Sequence, residues 1–334
     1  MNFILSEPHT TEAKAAQIQF LYELLLGRAP DADGLATWIS QWTRSASIRD
    51  ISEGIISSSE FIAKHPTRVK PSLDSALVKT SVNGNEMLVP LHDGVYALTL
   101  KTGRYETHVC NAIAALLKTG DCFLDIGANI GVHSLTGSVS VGPQGQVISV
   151  DASIDNCLVL SKTIRHFGIE NILVVPCAVG AEPAIEYVTT DDQSSNKWVR
   201  KSRTEEGVAQ LGSQAVLIQT IDTLLQKVSV VNLIKIDVEG REAGVLRGAS
   251  ELIKRSRCPI VAEYLGVQGA YAEGSFVEDL IGLGYVASVI EEGGGYTVLD
   301  GMNSLPTALS QIKARGGQHL DLLFRWEKPS ALMG

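Results

Sequence analysis

Residues 121–131, Asp-Cys-Phe-Leu-Asp-Ile-Gly-Ala-Asn-Ile-Gly, constrain this chain more than any other stretch. An apolar run ends on a carboxylate, Asp125, and breaks at once into a loop with Gly127 and Gly131. A buried parallel strand that hands its backbone to a tight turn and then to a helix has this pattern. Such a turn can lie against a ligand, with the N-terminus of the next helix behind it. The nicotinamide dinucleotide fingerprint requires Gly-x-Gly-x-x-Gly, but its second and third glycine places hold Asn129 and Val132. That spacing excludes a nicotinamide oxidoreductase.

An acid two places before the first glycine, followed by Gly127-Ala128-Asn129-Ile130-Gly131, fits a loop around the methionine part of S-adenosylmethionine (SAM). Twenty residues after Gly131, the strand Gln146-Val-Ile-Ser-Val-Asp151 ends on a second carboxylate. A carboxylate there can accept two hydrogen bonds from ribose hydroxyls. Strands are expected at 121–126, 146–151, 171–179, 231–237, 259–264, 285–290 and 319–326, with helices between most of them. Alternation of this kind implies a Rossmann-like, doubly wound α/β fold with a mostly parallel seven-stranded sheet. Before it, Met87–Leu91 and Val95–Leu100 flank His92-Asp93-Gly94 and read as a hairpin.

The chain resembles FkbM-type, class I SAM-dependent methyltransferases over residues 84–328. The resemblance rests on the 121–131 loop, on Asn171-Ile-Leu-Val-Val-Pro-Cys-Ala-Val179 and on the pair Tyr105-Glu106. It rests above all on Leu233-Ile-Lys-Ile-Asp-Val-Glu-Gly-Arg-Glu242, followed by Ala-Gly-Val-Leu-Arg-Gly-Ala249. It implies that Gly127, Ala128, Asn129 and Gly131 surround SAM, that Asp125 binds its ammonium directly or through water, and that Glu106 reaches its methionine end. It also implies that Asp151 and Ala152 hold the ribose side, with Cys177 and Ala178 beside the adenine. Two departures stand out. Val150-Asp-Ala152 replaces the family's usual Phe-Glu-Pro, and Ala181 stands where an Asp often follows the third strand. Adenine contacts there are expected to be backbone or apolar.

In open α/β sheets, ligands bind outside the carboxyl ends of the strands. Lys235, Asp237 and Glu239 alternate with Ile234, Ile236 and Val238, so they would share one face while the strand lasts. Three charges cannot be buried mid-sheet without partners, which places them at the open end. Asp237 is expected nearest the reacting methyl, in contact with cofactor or acceptor, Glu239 as the base, and Lys235 orienting Asp237 or the acceptor oxygen. The alternative is a structural Lys–carboxylate pair that only shapes the loop. Glu242 is expected to be a cap or salt-bridge partner. Glu263 ends the next strand and is expected to contact the acceptor. With Asp237 and Glu239 it could offer oxygens to a divalent cation, but this spacing is nonspecific and no metal ligands are assigned. His133 is a second candidate base near the acceptor; a local hydrogen-bonding role is the alternative. Residues 189–214 read either as a solvated insertion or as a flap bringing Trp198 and Arg200 to the substrate.

Residues 1–70 form a small all-α accessory domain, and 71–83 a polar linker. Ile18, Leu21, Leu24 and Leu25 share a helical face; Asp33 can cap a second helix carrying Leu35, Trp38, Ile39 and Trp42. Phe20-Leu-Tyr-Glu-Leu-Leu-Leu-Gly-Arg-Ala-Pro-Asp31 resembles a helical domain of unknown function found on bacterial surface and glycan-modifying proteins. Its tryptophans are expected to fill its core, and it could mediate a homo-oligomer or bind a protein partner. A net charge of −9 argues against nucleic acid. No apolar run is long enough to span a membrane, and the first residues lack the pattern of a secretory signal. With five cysteines in no paired spacing, a cytoplasmic protein is expected. The reading is a SAM-dependent O-methyltransferase acting on a hydroxyl of a sugar, a glycan or a polyketide-like small molecule. The alternative is a non-catalytic scaffold that keeps the SAM fold and recruits a glycan-biosynthesis partner through the helical domain.

Overall fold

The computed structural model describes residues 10–26, 28–44, 51, 55, 58, 60, 77–90, 99, 102–189, 213–265, 276–314 and 319–327. The chain divides into two compact units, Met1–Ala76 and Leu77–Gly334. In the first unit, α1 (Thr11–Leu26) and α2 (Ala32–Arg44) enclose a small core of Ile18, Tyr22, Trp42, Ile51 and Ile55. Trp38 packs against this core and donates its indole N–H to the Tyr22 hydroxyl at 3.0 Å. The cap of α2 is Asp31 rather than the expected Asp33. Its Oδ1 accepts from Gly34 N at 2.7 Å, because α2 begins at Ala32 and the capping residue must stand outside the helix.

The second unit opens with a hairpin, β1 (Leu77–Val82) and β2 (Asn85–Pro90), joined by Asn83-Gly84. The pairing expected around His92-Asp93-Gly94 falls largely outside the described residues. An Asn-Gly pair with both φ values positive, +48° and +84°, makes the two-residue turn whose twist matches antiparallel strands. β1 falls within 77–82, inside the stretch expected to be linker. Residues 91–98 lie outside the described residues, and Thr99 is helical.

Helix α3 (Thr107–Leu116) leads into β3 (Cys122–Ile126), followed by α4 (Val132–Val141), β4 (Gln146–Asp151), α5 (Ile154–Phe167) and β5 (Ile172–Pro176). After β6 (Ala178–Val179), β7 (Ala184–Thr189) and β8 (Ser213–Gln219) come β9 (Leu233–Ile236), β10 (Ile260–Tyr264), β11 (Tyr285–Ile290), β12 (Tyr296–Val298) and β13 (Leu320–Trp326). The main sheet has the order β5-β4-β3-β9-β10-β13-β11-β12. Its β5-β4-β3-β9-β10 half is parallel, and β13 and β12 run antiparallel to their neighbours. It has eight strands, not the expected seven, because Tyr296–Val298 folds back onto β11. Three residues are too few for a period-two pattern to mark.

The expected strand at 171–179 also breaks. β5 pairs with β4 up to Asp151↔Pro176, and Pro176 has no N–H to extend a ladder. Ala178–Val179 instead joins β8 in a separate three-stranded sheet with β7. The helix expected between β9 and β10 is two short ones, Glu242–Gly248 and Ser250–Ser256. The largest core cluster runs through Leu124, Ile126, Ile148, Ile234, Ile236 and Phe324. No helix among the described residues is long and apolar enough to cross a membrane.

Candidate active site

β4 and β5 lie on one side of β3, and β9 and β10 on the other, so connections leave this point in opposite directions. A crevice opens where they diverge, at the carboxyl ends of the strands. The register puts Asp125 opposite Ser149 on one side and Lys235 on the other, so a polar row crosses the centre of an otherwise apolar sheet. Ser149 Oγ donates to Ser134 Oγ at 2.7 Å, and Ser134 donates to Asp125 Oδ2 at 2.6 Å. Asp125 Oδ1 has no hydrogen-bond partner and faces Lys235 Nζ at 3.9 Å. Asp125 is fully buried, so it lies in the floor of the crevice rather than on its surface. Burial pushes its carboxyl upward, against the opposing pull of Lys235.

Lys235 is also buried and donates to Asp237 Oδ2 at 2.9 Å and to Gly127 O at 3.4 Å. Burial alone would discharge it, but Asp237, Asp125 and Glu106 outweigh that penalty and raise its pKa above the ordinary lysine value. One ammonium thus ties the end of β9 to the glycine loop.

β3 ends at Ile126, and the loop turns under Val150, whose carbonyl accepts from Gly127 N at 2.8 Å and Ala128 N at 3.1 Å. Gly127 has φ +77°, and a Cβ there would lie 1.7 Å from the Asp237 carbonyl oxygen. No other residue fits so close an approach. Gly131, with φ +96°, leaves no room for a Cβ against Leu160, at 2.3 Å from its Cδ1. Asn129 lies between them at φ +51°; its N–H donates to Asp151 Oδ2 at 2.8 Å, and its Oδ1 is buried without a partner. Asp151 Oδ1 accepts from Ser153 N at 2.8 Å and from Asn156 Nδ2 at 3.3 Å. The Asp151 carboxylate thus already accepts from three donors, one in the glycine loop and two at the start of α5. A carboxylate has about four acceptor positions, so roughly one remains for a ligand rather than the expected two. Ala152 packs against Ala178, Val216 and Ile218, and Cys177, also buried, directs its Sγ at Ala178 O, 3.2 Å away.

β9 ends one residue before Asp237. Glu239 follows in a left-handed conformation, φ +56°, and Glu242 accepts from Val238 N at 3.2 Å and Gly240 N at 3.1 Å. Glu242 is therefore the cap of this turn, leaving Glu239 to the crevice. Carboxylate oxygens of Asp237, Glu239 and Glu263 lie within 4.8 Å of one another. An all-oxygen set of this kind suits a hard divalent cation. Burial, with Asp237 beside it, pushes Glu239 up to about 7, and burial with Asp237 and Glu239 pushes Glu263 up to about 10.

Glu106 adopts φ +40° at the start of α3, and its Oε2 lies 3.3 Å from His133 Nε2, misaligned for a hydrogen bond. Burial, then Asp237, raises the Glu106 carboxyl to about 7. Burial, with Lys235 nearby, holds the His133 imidazole well below its ordinary value, which leaves it neutral. The structure therefore brings Glu106, Asp125, His133, Lys235, Asp237, Glu239 and Glu263 around one crevice. Trp198 and Arg200 lie outside the described residues.

Sequence reasoning passed over the residues behind this cluster. His108 Nε2 lies 2.6 Å from Asp321 Oδ2. His319 bridges Asp321, at 3.7 Å from Nε2, and Glu263, at 3.1 Å from Nδ1. The hydrogen bond to Asp321 raises the His108 pKa. The only local signal was the His319-x-Asp321 alternation entering β13, which places both side chains on one face.

A sequence profile of the FkbM methyltransferase domain matches residues 125–285, and one of a domain of unknown function (DUF4214) matches residues 2–65. No curated protein matches the chain. Among solved structures, the chain is similar to a methyltransferase FkbM from Methylobacillus flagellatus, with 15% identity and a TM-score of 0.40, over 93% of this chain and 60% of that one. It is also similar to a precorrin-6y C5,15-methyltransferase from Geobacter metallireducens, with 11% identity and a TM-score of 0.37, over 67% and 90% of the two chains. For a SAM-dependent O-methyltransferase from Thermotoga maritima the values are 11% and 0.36, over 76% and 79%.

Proposed function

We propose that this chain, whose residues 125–285 match the FkbM methyltransferase domain, uses SAM to O-methylate a hydroxyl on a sugar, a glycan or a polyketide-like small molecule. The chemistry of the crevice fits the cofactor. The 127–131 loop is held tightly by its two glycines, Gly127 against the Asp237 carbonyl and Gly131 against Leu160, both at positive φ. Beside it the buried Asn129 Oδ1 lacks a donor, and Asp151 has an acceptor position to spare. Bound SAM supplies a methyl group already activated by its sulfonium. The protein's task is alignment, exclusion of water and removal of a proton from the acceptor.

The observation that carries the oxygen acceptor is Glu239. A hydroxyl must lose its proton, and the left-handed turn after β9 sets the Glu239 carboxylate within 4.8 Å of those of Asp237 and Glu263, where burial and Asp237 raise its proton affinity and suit it to take that proton at Oε. Asp237, fixed by Lys235, orients the acceptor oxygen, while Glu106 and Asp151 face opposite ends of the cofactor. Crevice carboxylates and the net charge of −9 disfavour a polyanionic acceptor such as nucleic acid. The five unpaired thiols suit a cytoplasmic location. Residues 1–70 act as an accessory that binds a protein partner or a second copy.

Mass spectrometry of the host's glycans and lipids, with and without the protein, tests the acceptor class: one pool should gain a methyl in place of a hydrogen. Glu239→Gln should lower turnover by about 100-fold while SAM affinity holds within twofold. Unchanged turnover removes Glu239 as the base, and an acceptor methylated on nitrogen or carbon removes the oxygen assignment.

A further inference from the structure

Asn83 lies on the β1–β2 turn, far in sequence from the crevice-forming strands. Its backbone meets the demands of the turn: φ is +48°, and Gly84 follows at +84°. An Asn-Gly turn asks nothing more of the side chain. Yet the side-chain amide is fully engaged with Tyr105 and the first turn of α3. Its Oδ1 accepts from Thr107 Oγ1 at 2.9 Å and from Tyr105 N at 3.3 Å. Its Nδ2 donates to the Tyr105 carbonyl and to Cys110 Sγ, the latter at 3.2 Å. Asn83 N also donates to Gly103 O at 2.9 Å. The residue on one side of Glu106 is held at both its N–H and its carbonyl, and the residue on the other side at its hydroxyl.

Glu106 itself is left-handed, φ +40° and ψ +50°, a conformation uncommon for residues other than Gly, Asn and Asp. No side-chain hydrogen bond caps α3 there. A glutamate left to itself would relax toward the right-handed region that the next residues already occupy, turning its carboxylate away. In the structure that carboxylate lies 3.3 Å from His133 Nε2, within electrostatic reach of Asp237 and Lys235. Strain that persists must be over-determined by its surroundings, and the Asn83 amide supplies that constraint.

We infer that Asn83 is a positioning residue for the methyl-transfer site: its amide clamps Tyr105 and Thr107 and so aims the Glu106 carboxylate at the cofactor. This rests on the reading that the crevice holds SAM. The hairpin then forms part of the binding apparatus, and a turn that looks purely structural sets affinity at a distance.

The test is a double-mutant cycle in the full chain, read as the SAM dissociation constant by calorimetry. Asn83→Gly keeps the positive φ and removes the amide; Glu106→Gln removes the charge. Each single variant should weaken SAM about tenfold, and the pair should be no weaker than Glu106→Gln alone, because Asn83 acts only through Glu106. Affinity within twofold of wild type for either single variant overturns the inference, and so does an additive loss of about 100-fold in the pair. In each of those outcomes the wild type still binds SAM and the crevice reading stands. Wild-type protein that binds no SAM would bring down both. Should Asn83→Gly not fold, Asn83→Asp retains both acceptor roles and loses both donations. It should lose a few-fold in affinity, and an unchanged constant counts against the clamp.

Discussion

Replacing Lys235 with methionine is the most severe test of the account of this crevice. Methionine matches the length and apolar stem of lysine but removes the ammonium that faces Asp125 at 3.9 Å and bonds Asp237 at 2.9 Å. Asp237 retains some exposure and can recruit water, whereas Asp125 is fully buried and cannot. Breaking a buried ion pair from one side typically costs about 3–5 kcal/mol. For a unit of this size that corresponds to a fall in Tm of roughly 6–20 °C. The loss should depend on pH. Burial already raises the Asp125 carboxyl above its ordinary value, so the folded state binds its proton more tightly than the unfolded state does. Without Lys235 that difference widens. The variant should be least stable relative to wild type near neutrality and recover as pH falls through the raised folded value. Adding Asp125→Asn, which removes the orphaned charge, should restore most of the loss at neutral pH. The assay is chemical and thermal denaturation by circular dichroism across pH 4–8. A penalty below about 1 kcal/mol for Lys235→Met, or no rescue by Asp125→Asn, would refute the claim that this lysine neutralises a buried carboxylate.

Three further outcomes are expected. Gly127→Ala would set a Cβ against the Asp237 carbonyl at a positive φ; overpacking and strain together should cost about 2–5 kcal/mol and abolish the SAM-induced rise in Tm, and a normal ligand shift would show the loop to be more yielding than argued. His108→Gln should cost roughly 1.5–3 kcal/mol at acid pH. His108 is raised in the folded state, so its contribution is fully present below the unfolded value and disappears as pH rises through the folded one; a stability gap that is constant with pH would contradict this. Glu242→Ala should release the Val238 and Gly240 N–H groups, lowering stability by about 0.5–2 kcal/mol and slowing turnover through the displaced Glu239; denaturation and rate measurements together check it, and unaltered kinetics would separate the cap from the site.

The sequence by itself determined what repeats along the chain. The apolar runs ending at Asp125, Asp151 and Ile236 and the helices between them were legible because burial on both faces of a parallel sheet imposes long apolar runs, and short-range spacing fixes the helices. The glycine loop was legible for a related reason: positive φ and close backbone approach admit almost no other residue, so the chemistry is written in the letters. Only the tertiary structure decided what faces what. Nothing near residue 83 indicates that its amide grips residues 105–110, and nothing near residue 108 points to a carboxylate at 321. The pairing of Ala178–Val179 with β8 and the hydrogen bond from Asn129 to Asp151 are likewise contacts between segments separated in sequence. A hydrogen bond between distant segments leaves no periodic trace in either one, because it constrains one atom of each and not a pattern of residues.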